Sequence, residues 1–393
     1  MSLLNVVSNS LSGFKAFTTS LDNLSHNVAN MNSPGFKKQD SFFRELNDSQ
    51  GGNGVRYSGS IINFEQGDIY TTGQGTNIAI EGKGFFIVEN NGQLYYTRAG
   101  QFEIKDNKLV DAGSGGIVKA LSEPGELVDI DISGWQVSQP EVTTFVDLSG
   151  NLSSLSAIGS QFPSDGESPV QFDIYDQRGE QHTLNIVYTK EPTGDWKAEV
   201  RNSDNDLVGG GILRFTSAGS PMADFSSFSF EIEHQDGITQ TITANAGNPG
   251  EFTGLTSFPS QTNGISANSR DGKSLGALIS TAFDDQGNLV LTYSNGSTET
   301  PFSIALAYFK DTGNLLAFTD SLFQSSTSPE ILATADEEIV GNIRVQSLER
   351  SNVDITEEFS SIIIIQRGYQ ACSQVLSVSN EMLEELYNSS KGG

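Results

Sequence analysis

Residues 3–28 read LLNVVSNSLSGFKAFTTSLDNLSHNV, and residues 355–387 read ITEEFSSIIIIQRGYQACSQVLSVSNEMLEELY. In the first stretch Val7, Phe14, Leu21 and Val28 fall seven apart, joined by Leu4 and Leu11. In the second, Ile355, Ile362, Tyr369, Leu376 and Leu383 repeat that spacing, joined by Phe359 and Tyr387. A sustained seven-residue apolar period lays one stripe along an α-helix, and the stripe has to be buried against another helix. Each terminal stripe can meet the other one or a neighbouring copy of the chain. That points to assembly rather than catalysis. Asn30-Met31-Asn32-Ser33-Pro34-Gly35 stops the first helix, because proline lacks the amide donor and glycine tolerates positive φ.

Working inward, the period changes. Residues 37–70 are polar, with Gly51-Gly52-Asn53-Gly54 as a tip. From Gly67 onward short β-prone runs flank turn residues. Phe85–Val88 and Leu94–Thr97 flank Asn90-Asn91-Gly92; Phe102–Ile104 and Leu109–Val110 flank Asp106-Asn107. Phe172–Tyr175 and Leu184–Tyr188 flank Asp176-Gln177-Arg178-Gly179; Phe228–Glu233 and Thr239–Thr243 flank Asp236-Gly237. Ala277–Phe283 and Leu289–Tyr293 flank Asp285-Gln286-Gly287-Asn288. Such spacing reads as antiparallel meanders, sandwiches or small barrels. Two softer stretches, 149–169 and 245–274, are rich in Ser, Gly, Asn or Pro and read as crossings. The expectation is a multidomain α+β chain. Residues 1–30 plus 352–393 form a coiled-coil-like helical domain, and 31–70 a linker arm. Residues 71–144 plus 273–351 form an inner β domain. Residues 145–272 form an outer β domain inserted into it, both mainly antiparallel.

The 393 residues are enough for two or three domains with real cores. The formal net charge of -27 argues against nucleic acid, since phosphate binding needs clustered Lys and Arg, and no basic run exists beyond Lys37-Lys38. The acid extends into residues 145–272, which carry 17 acidic and 6 basic residues. A single cysteine, Cys372, excludes an intramolecular disulfide and reads as filler beside the apolar stripe. The N-terminus lacks the pattern of a cleaved secretory signal, and no apolar stretch reaches membrane-span length.

Catalytic signatures are few. His26, His182 and His234 are scattered, and each reads as surface or packing; no H-E-x-x-H or C-x-x-C occurs. No G-x-S-x-G elbow is present, and Gly73-Gln74-Gly75 lacks the last glycine of a dinucleotide loop. The turns at Asp176 and Asp284 start like calcium loops but lack the later ligands. The expectation is no enzyme, no cofactor and no metal. On the residues alone a secreted β-rich glycosidase or a monomeric adhesin stays open.

Four motifs narrow the choice. Ser12-Gly13-Phe14-Lys15 through Asn27-Val28-Ala29-Asn30 and Gly35-Phe36-Lys37 resembles the N-terminal signature of bacterial flagellar rod and hook proteins. Ser351-Asn352-Val353-Asp354, followed by Gln366-Arg367-Gly368-Tyr369-Gln370-Ala371, resembles the same family's C-terminal signature. Ile80-Glu81-Gly82-Lys83-Gly84-Phe85-Phe86 and Tyr96-Thr97-Arg98-Ala99-Gly100-Gln101-Phe102 look like its shared β segments. The large insert, with Phe172–Thr189 and Ile304-Ala305-Leu306-Ala307, resembles the hook members in particular; a distal-rod or junction member is the near rival. Cys372 departs from the asparagine usual there, and Pro34 from a small residue.

The resemblance implies a structural subunit that polymerises into a helical, curved, hollow tube outside the cell, at the flagellar basal body and hook. It implies a universal joint between rod and filament and export through the flagellar type III apparatus. Implied partners are further copies of the chain, distal rod, hook cap and hook–filament junction proteins, with no nucleic acid and no membrane insertion. The expected interaction residues are Leu4, Val7, Leu11, Phe14, Leu21 and Val28, opposite Phe359, Ile362, Gln366, Arg367, Tyr369, Leu376 and Leu383. The signature residues are Asn27, Ala29, Asn30, Gly35, Phe36, Lys37, Ser351, Asn352, Val353, Asp354 and Gln370. The ends are expected to order only on assembly.

Overall fold

The computed structural model describes residues 3–47, 53–122, 125–164, 166–234, 237–319, 321–334 and 339–391. Helix α1 spans Leu3–Ala29, helix α2 spans Ile355–Lys391, and strands fill the chain between them. After α1, Asn30 folds its side-chain amide back onto the His26 carbonyl at 3.0 Å, and Gly35 takes a φ of +68°. Helix α2 starts on an Asp354 cap, whose carboxylate accepts from the Thr356 amide at 2.7 Å. Glu357 and Glu358 follow in the first turn, where the helix dipole favours negative charge. No helix among the described residues is long and apolar enough to cross a membrane.

The chain divides into two units. One holds residues 1–134, 281–291 and 299–393; the other holds 135–280 and 292–298.

In the first unit, the antiparallel hairpin Phe85–Asn90 with Gln93–Thr97 forms at the Asn90-Asn91-Gly92 turn expected from sequence. Its tip needs positive φ at Asn91 (53°) and Gly92 (78°), which asparagine and glycine tolerate. Phe102–Lys105 pairs with Lys108–Asp111 across Asp106 and Asn107, also both at positive φ. The core of this sheet gathers Phe85, Ile87, Tyr96, Ala305, Ala307, Phe309, Leu315 and Phe323. Phe64 stands edge-on to Phe85 and Phe323, at 5.5 and 5.1 Å between centroids.

Two short ladders zip the outgoing chain to the returning one. Ile78–Glu81 pairs with Asn342–Val345, and Ile69–Thr71 pairs with Ser347–Glu349, both antiparallel. They carry Glu349 and Asn352 back to the exit of α1. Within the polar segment 31–70, Gln39–Asn47 and Asn53–Ile62 form an antiparallel ribbon. The ribbon is tied to α1 by Asn23, whose amide donates to Ser41 Oγ at 2.7 Å. Gly51 and Gly52 lie outside the described residues, as does Asp236.

The second unit has two five-stranded sheets that share one buried core. One sheet contributes Val146, Leu148, Phe230 and Ile242; the other contributes Ile174, Ile186, Tyr188 and Trp196. The hairpins at Asp176–Gly179 and after Glu233 form as the sequence predicts. Most pairings are antiparallel; Phe145–Asn151 runs parallel to Thr239–Asn245. The segment closes on itself: Asp271 accepts from the Thr144 and Phe145 amides, each at 3.0 Å.

Candidate functional site: the helix pair and its junction

Small residues set how α1 and α2 meet. A Cβ placed on Gly368 would stand 2.5 Å from the Phe17 ring, and one on Gly13 would stand 3.0 Å from Cys372 Sγ. Each glycine is therefore the floor of a socket for a side chain of the facing helix. Phe14 and Tyr369 meet beside them with ring centroids 4.3 Å apart. The buried face of α1 is Ser10, Gly13, Ala16, Ser20, Leu24 and Asn27; that of α2 runs through Glu358, Ile365 and Ser379.

The residues expected from the seven-residue period divide three ways. Val7, Phe14, Leu21, Val28, Ile362 and Leu376 are half-buried. Leu11, Phe359, Gln366, Arg367, Tyr369 and Leu383 are exposed in the single chain. The side chain of Leu4 lies outside the described residues. The period follows large apolar side chains, whereas the closest approach of two helices is set by small ones.

The signature residues converge below the helix pair. Asn27 is fully buried and bonds both faces of the Gln39 backbone, donating to its carbonyl and accepting from its amide, each at 3.0 Å. It also reaches Glu358 Oε2 at 3.3 Å. Lys38 stands 3.1 Å from both Glu357 and Glu358. Partial burial works to lower the Lys38 ammonium, but the two carboxylates outweigh it and hold it above its ordinary range. The Lys38 amide donates to Asn352 Oδ1 at 2.7 Å, while Asn352 donates to the Asn63 and Glu65 carbonyls. Gly35 donates to the Glu349 carbonyl at 2.9 Å, and a Cβ there would lie 2.2 Å from the Ala99 nitrogen. Phe36 is buried and faces His26. Ser351 and Val353 are half-buried, Ala29 and Gln370 exposed.

At the centre lies a buried charge cluster. Lys37 Nζ is 2.6 Å from Glu349 Oε1, with both side chains sealed from solvent. Arg98 Nε stands 3.1 Å from the other carboxylate oxygen. Two cations on one anion leave positive charge over, and backbone carbonyls take it up: Glu65 accepts from Lys37 at 2.7 Å, and Gly82 and Gly84 accept from Arg98. Burial pushes both the Lys37 ammonium and the Arg98 guanidinium below their ordinary ranges. Removing one partner of such a buried pair strands the other, at a cost of about 3–5 kcal/mol. The Gly-Phe-Lys and Tyr-Thr-Arg motifs point to the two cations. Glu349 carries no signal of its own, because a lone glutamate in so acidic a chain reads as surface.

The two helical ends of this β-rich chain pair, and residues of the motifs that resemble flagellar rod and hook proteins lie at their junction. Residues 79–150 match the family model described as the flagellar hook protein FlgE/F/G D1 domain, and residues 344–389 match the flagellar basal body rod FlgEFG protein C-terminal. The chain is 27% identical over 412 residues to the flagellar hook protein FlgE of Salmonella typhimurium, and 26% identical over 406 residues to that of Escherichia coli. Both alignments take in 97% of this chain and 99% of the relative. Over nearly its whole length the chain is thus similar to flagellar hook proteins. A crystal structure of Helicobacter pylori flagellar hook protein FlgE2 superposes with a TM-score of 0.46 at 13% identity, covering 70% of this chain and 99% of that one.

Proposed function

We propose that this chain is the structural subunit of a bacterial flagellar hook, outside the cell, and that many copies join through α1 and α2 into a curved hollow tube. The tube passes motor torque from rod to filament. One observation carries the reading: the helix pair leaves a second apolar face uncovered. Ile364, Val375, Val378 and Leu386 fall along one side of α2 and are all exposed, Ile364 at 67%, and Leu11 of α1 is exposed as well. Large contiguous apolar exposure on a folded chain marks an interaction surface. Helix α2 has 37 residues to the 27 of α1, so about 15 Å of it, at 1.5 Å per residue, extends beyond an equal-length partner.

In this reading residues 1–30 with 352–393 are the axial part, and 31–70 the arm. Residues 71–144 with 273–351 are one β domain, and 145–272 a second, inserted one. Support for the insert is that its whole buried core, Val146 to Ala267, lies inside those bounds. Apolar contacts between axial helices hold, while contacts between polar, acidic β domains slide as each row of subunits lengthens and shortens once per turn. The subunit passes unfolded through the flagellar type III apparatus. It meets distal rod, hook cap and junction proteins at the ends of the tube. The buried stripe of α1 includes polar Ser10, Ser20 and Asn27, so the isolated helix is marginal and orders fully on assembly.

The test is polymerisation of the purified chain, followed by light scattering and electron microscopy. Wild type forms tubes. Ile364→Asp and Val378→Asp remain monomeric with unchanged β-sheet circular dichroism. Tubes from either variant would overturn the reading.

A further inference from the structure

Two of the three histidines, 52 positions apart in sequence (182 to 234), come together in the second unit beside a buried aspartate. We propose that Asp176, His182 and His234 form a binding site for one divalent transition-metal ion, zinc in the first place, with a fourth position open to water. The inference is independent of the hook assignment.

Three observations carry it. First, one ligand atom from each of the three residues lies within 4.8 Å of the other two, and the imidazole centroids are 4.9 Å apart. Second, one of the three residues has a buried atom short of a partner, in the way an ion would satisfy. His182 Nε2 is buried and makes no hydrogen bond. It stands 3.6 Å from Asp176 Oδ2, too far for a hydrogen bond. Two ligands each about 2.05 Å from a tetrahedral zinc would be about 3.3 Å apart, close to that spacing. A buried polar atom left unpaired in a native fold calls for an explanation, an ion among them.

Third, the surroundings fix the ligands. Asp176 Oδ1 accepts from the amides of Arg178 and Glu180, at 2.9 and 2.8 Å, which turns Oδ2 toward the histidines. Gln240, itself buried, donates through Nε2 to the carbonyls of Thr143 and Tyr175 at 2.6 and 3.2 Å. Its amide orientation is thereby set, and Oε1 is left to face His234 Nε2 at 2.6 Å. His234 Nε2 must donate to it, so the lone pair of the neutral ring lies on Nδ1. A ligating histidine held by a hydrogen bond from its other nitrogen is the usual arrangement at protein metal sites. A bound ion would clamp the turn after Tyr175 to the turn after Glu233.

The test uses untagged full-length protein stripped with chelator. Calorimetric titration with Zn2+ is expected to give one saturating equivalent and a raised Tm. His182→Ala, His234→Ala and Asp176→Asn should abolish that equivalent. Gln240→Ala should weaken it about 10- to 100-fold. His26→Ala, which changes the third histidine, should leave it intact. Co2+ loaded into the wild type should give the intense visible bands of a four-coordinate ion, a readout that needs no variant. Absence of a saturating equivalent, survival of it in both histidine variants, or a pale six-coordinate Co2+ spectrum would overturn the proposal.

Discussion

Glu349 joins the two halves of the chain by holding Lys37 and Arg98 at once, with all three side chains buried. Replacing it with alanine leaves two cations in a sealed space. Glu349→Ala should therefore cost about 3–5 kcal/mol in urea unfolding of the first unit. A charge-neutral surface site would cost under about 0.5 kcal/mol, and a value that small would refute the role given to the cluster. In the second unit, Asp195 accepts from Arg214 at 3.0 and 2.9 Å and from Thr193 at 3.0 Å. The Arg214 guanidinium holds the Asp195 carboxyl below its ordinary 3.8, outweighing burial. The unfolded chain thus takes up this proton at higher pH than the folded one. The stabilisation is present above 3.8 and is lost as pH falls through the depressed value. Asp195→Asn should flatten that part of the acid-unfolding curve; an unchanged slope would remove Asp195 from the account. Lys37 is visible in sequence through its motif, whereas Asp195 and Glu349 are not. A charge is recognised as buried only once its partner is known, and these partners arrive from elsewhere in the chain.

Helices and hairpins are the legible elements. Asn91-Gly92 and Asp106-Asn107 announce positive φ, and the seven-residue period announces both helices. The face they share is less legible, because Gly13, Ala16 and Gly368 leave no hydrophobic mark. The ribbon of Gln39–Asn47 with Asn53–Ile62 is hidden for another reason. Its sequence is polar and its Phe42 and Phe43 are exposed, so little core betrays it. The socket at Gly368 gives a sign test. Alanine in a helix interior ordinarily gains about 1 kcal/mol over glycine. Here the added Cβ meets Phe17 at 2.5 Å, and overpacking costs about 1–3 kcal/mol. Gly368→Ala should lower the thermal stability of the assembled state, and Phe17→Ala in the same chain should recover part of the loss. Additive losses would refute the socket.

For the molecule as a whole, the order helix, β, β, helix can be read from one pass along the sequence. The meeting of His182 with His234 cannot, since it depends on two turns that separate strands bring together. Residues 145–272 enter and leave at nearly one point, with Arg270 donating to the Phe145 carbonyl at 3.0 Å. Replacing them with a short linker should leave secretion and tube formation in place while changing curvature or stiffness in electron micrographs. Wild-type geometry in such tubes would dismiss the proposed division between holding and sliding contacts. The Lys37–Glu349 bond spans 312 residues of chain. Lys37 and Arg98 lie early in the sequence, and the carboxylate that neutralises them comes only with residue 349. The junction therefore works as a receipt for the returning strand: a chain ended before residue 349 is left with two unpaired cations at the exit of α1.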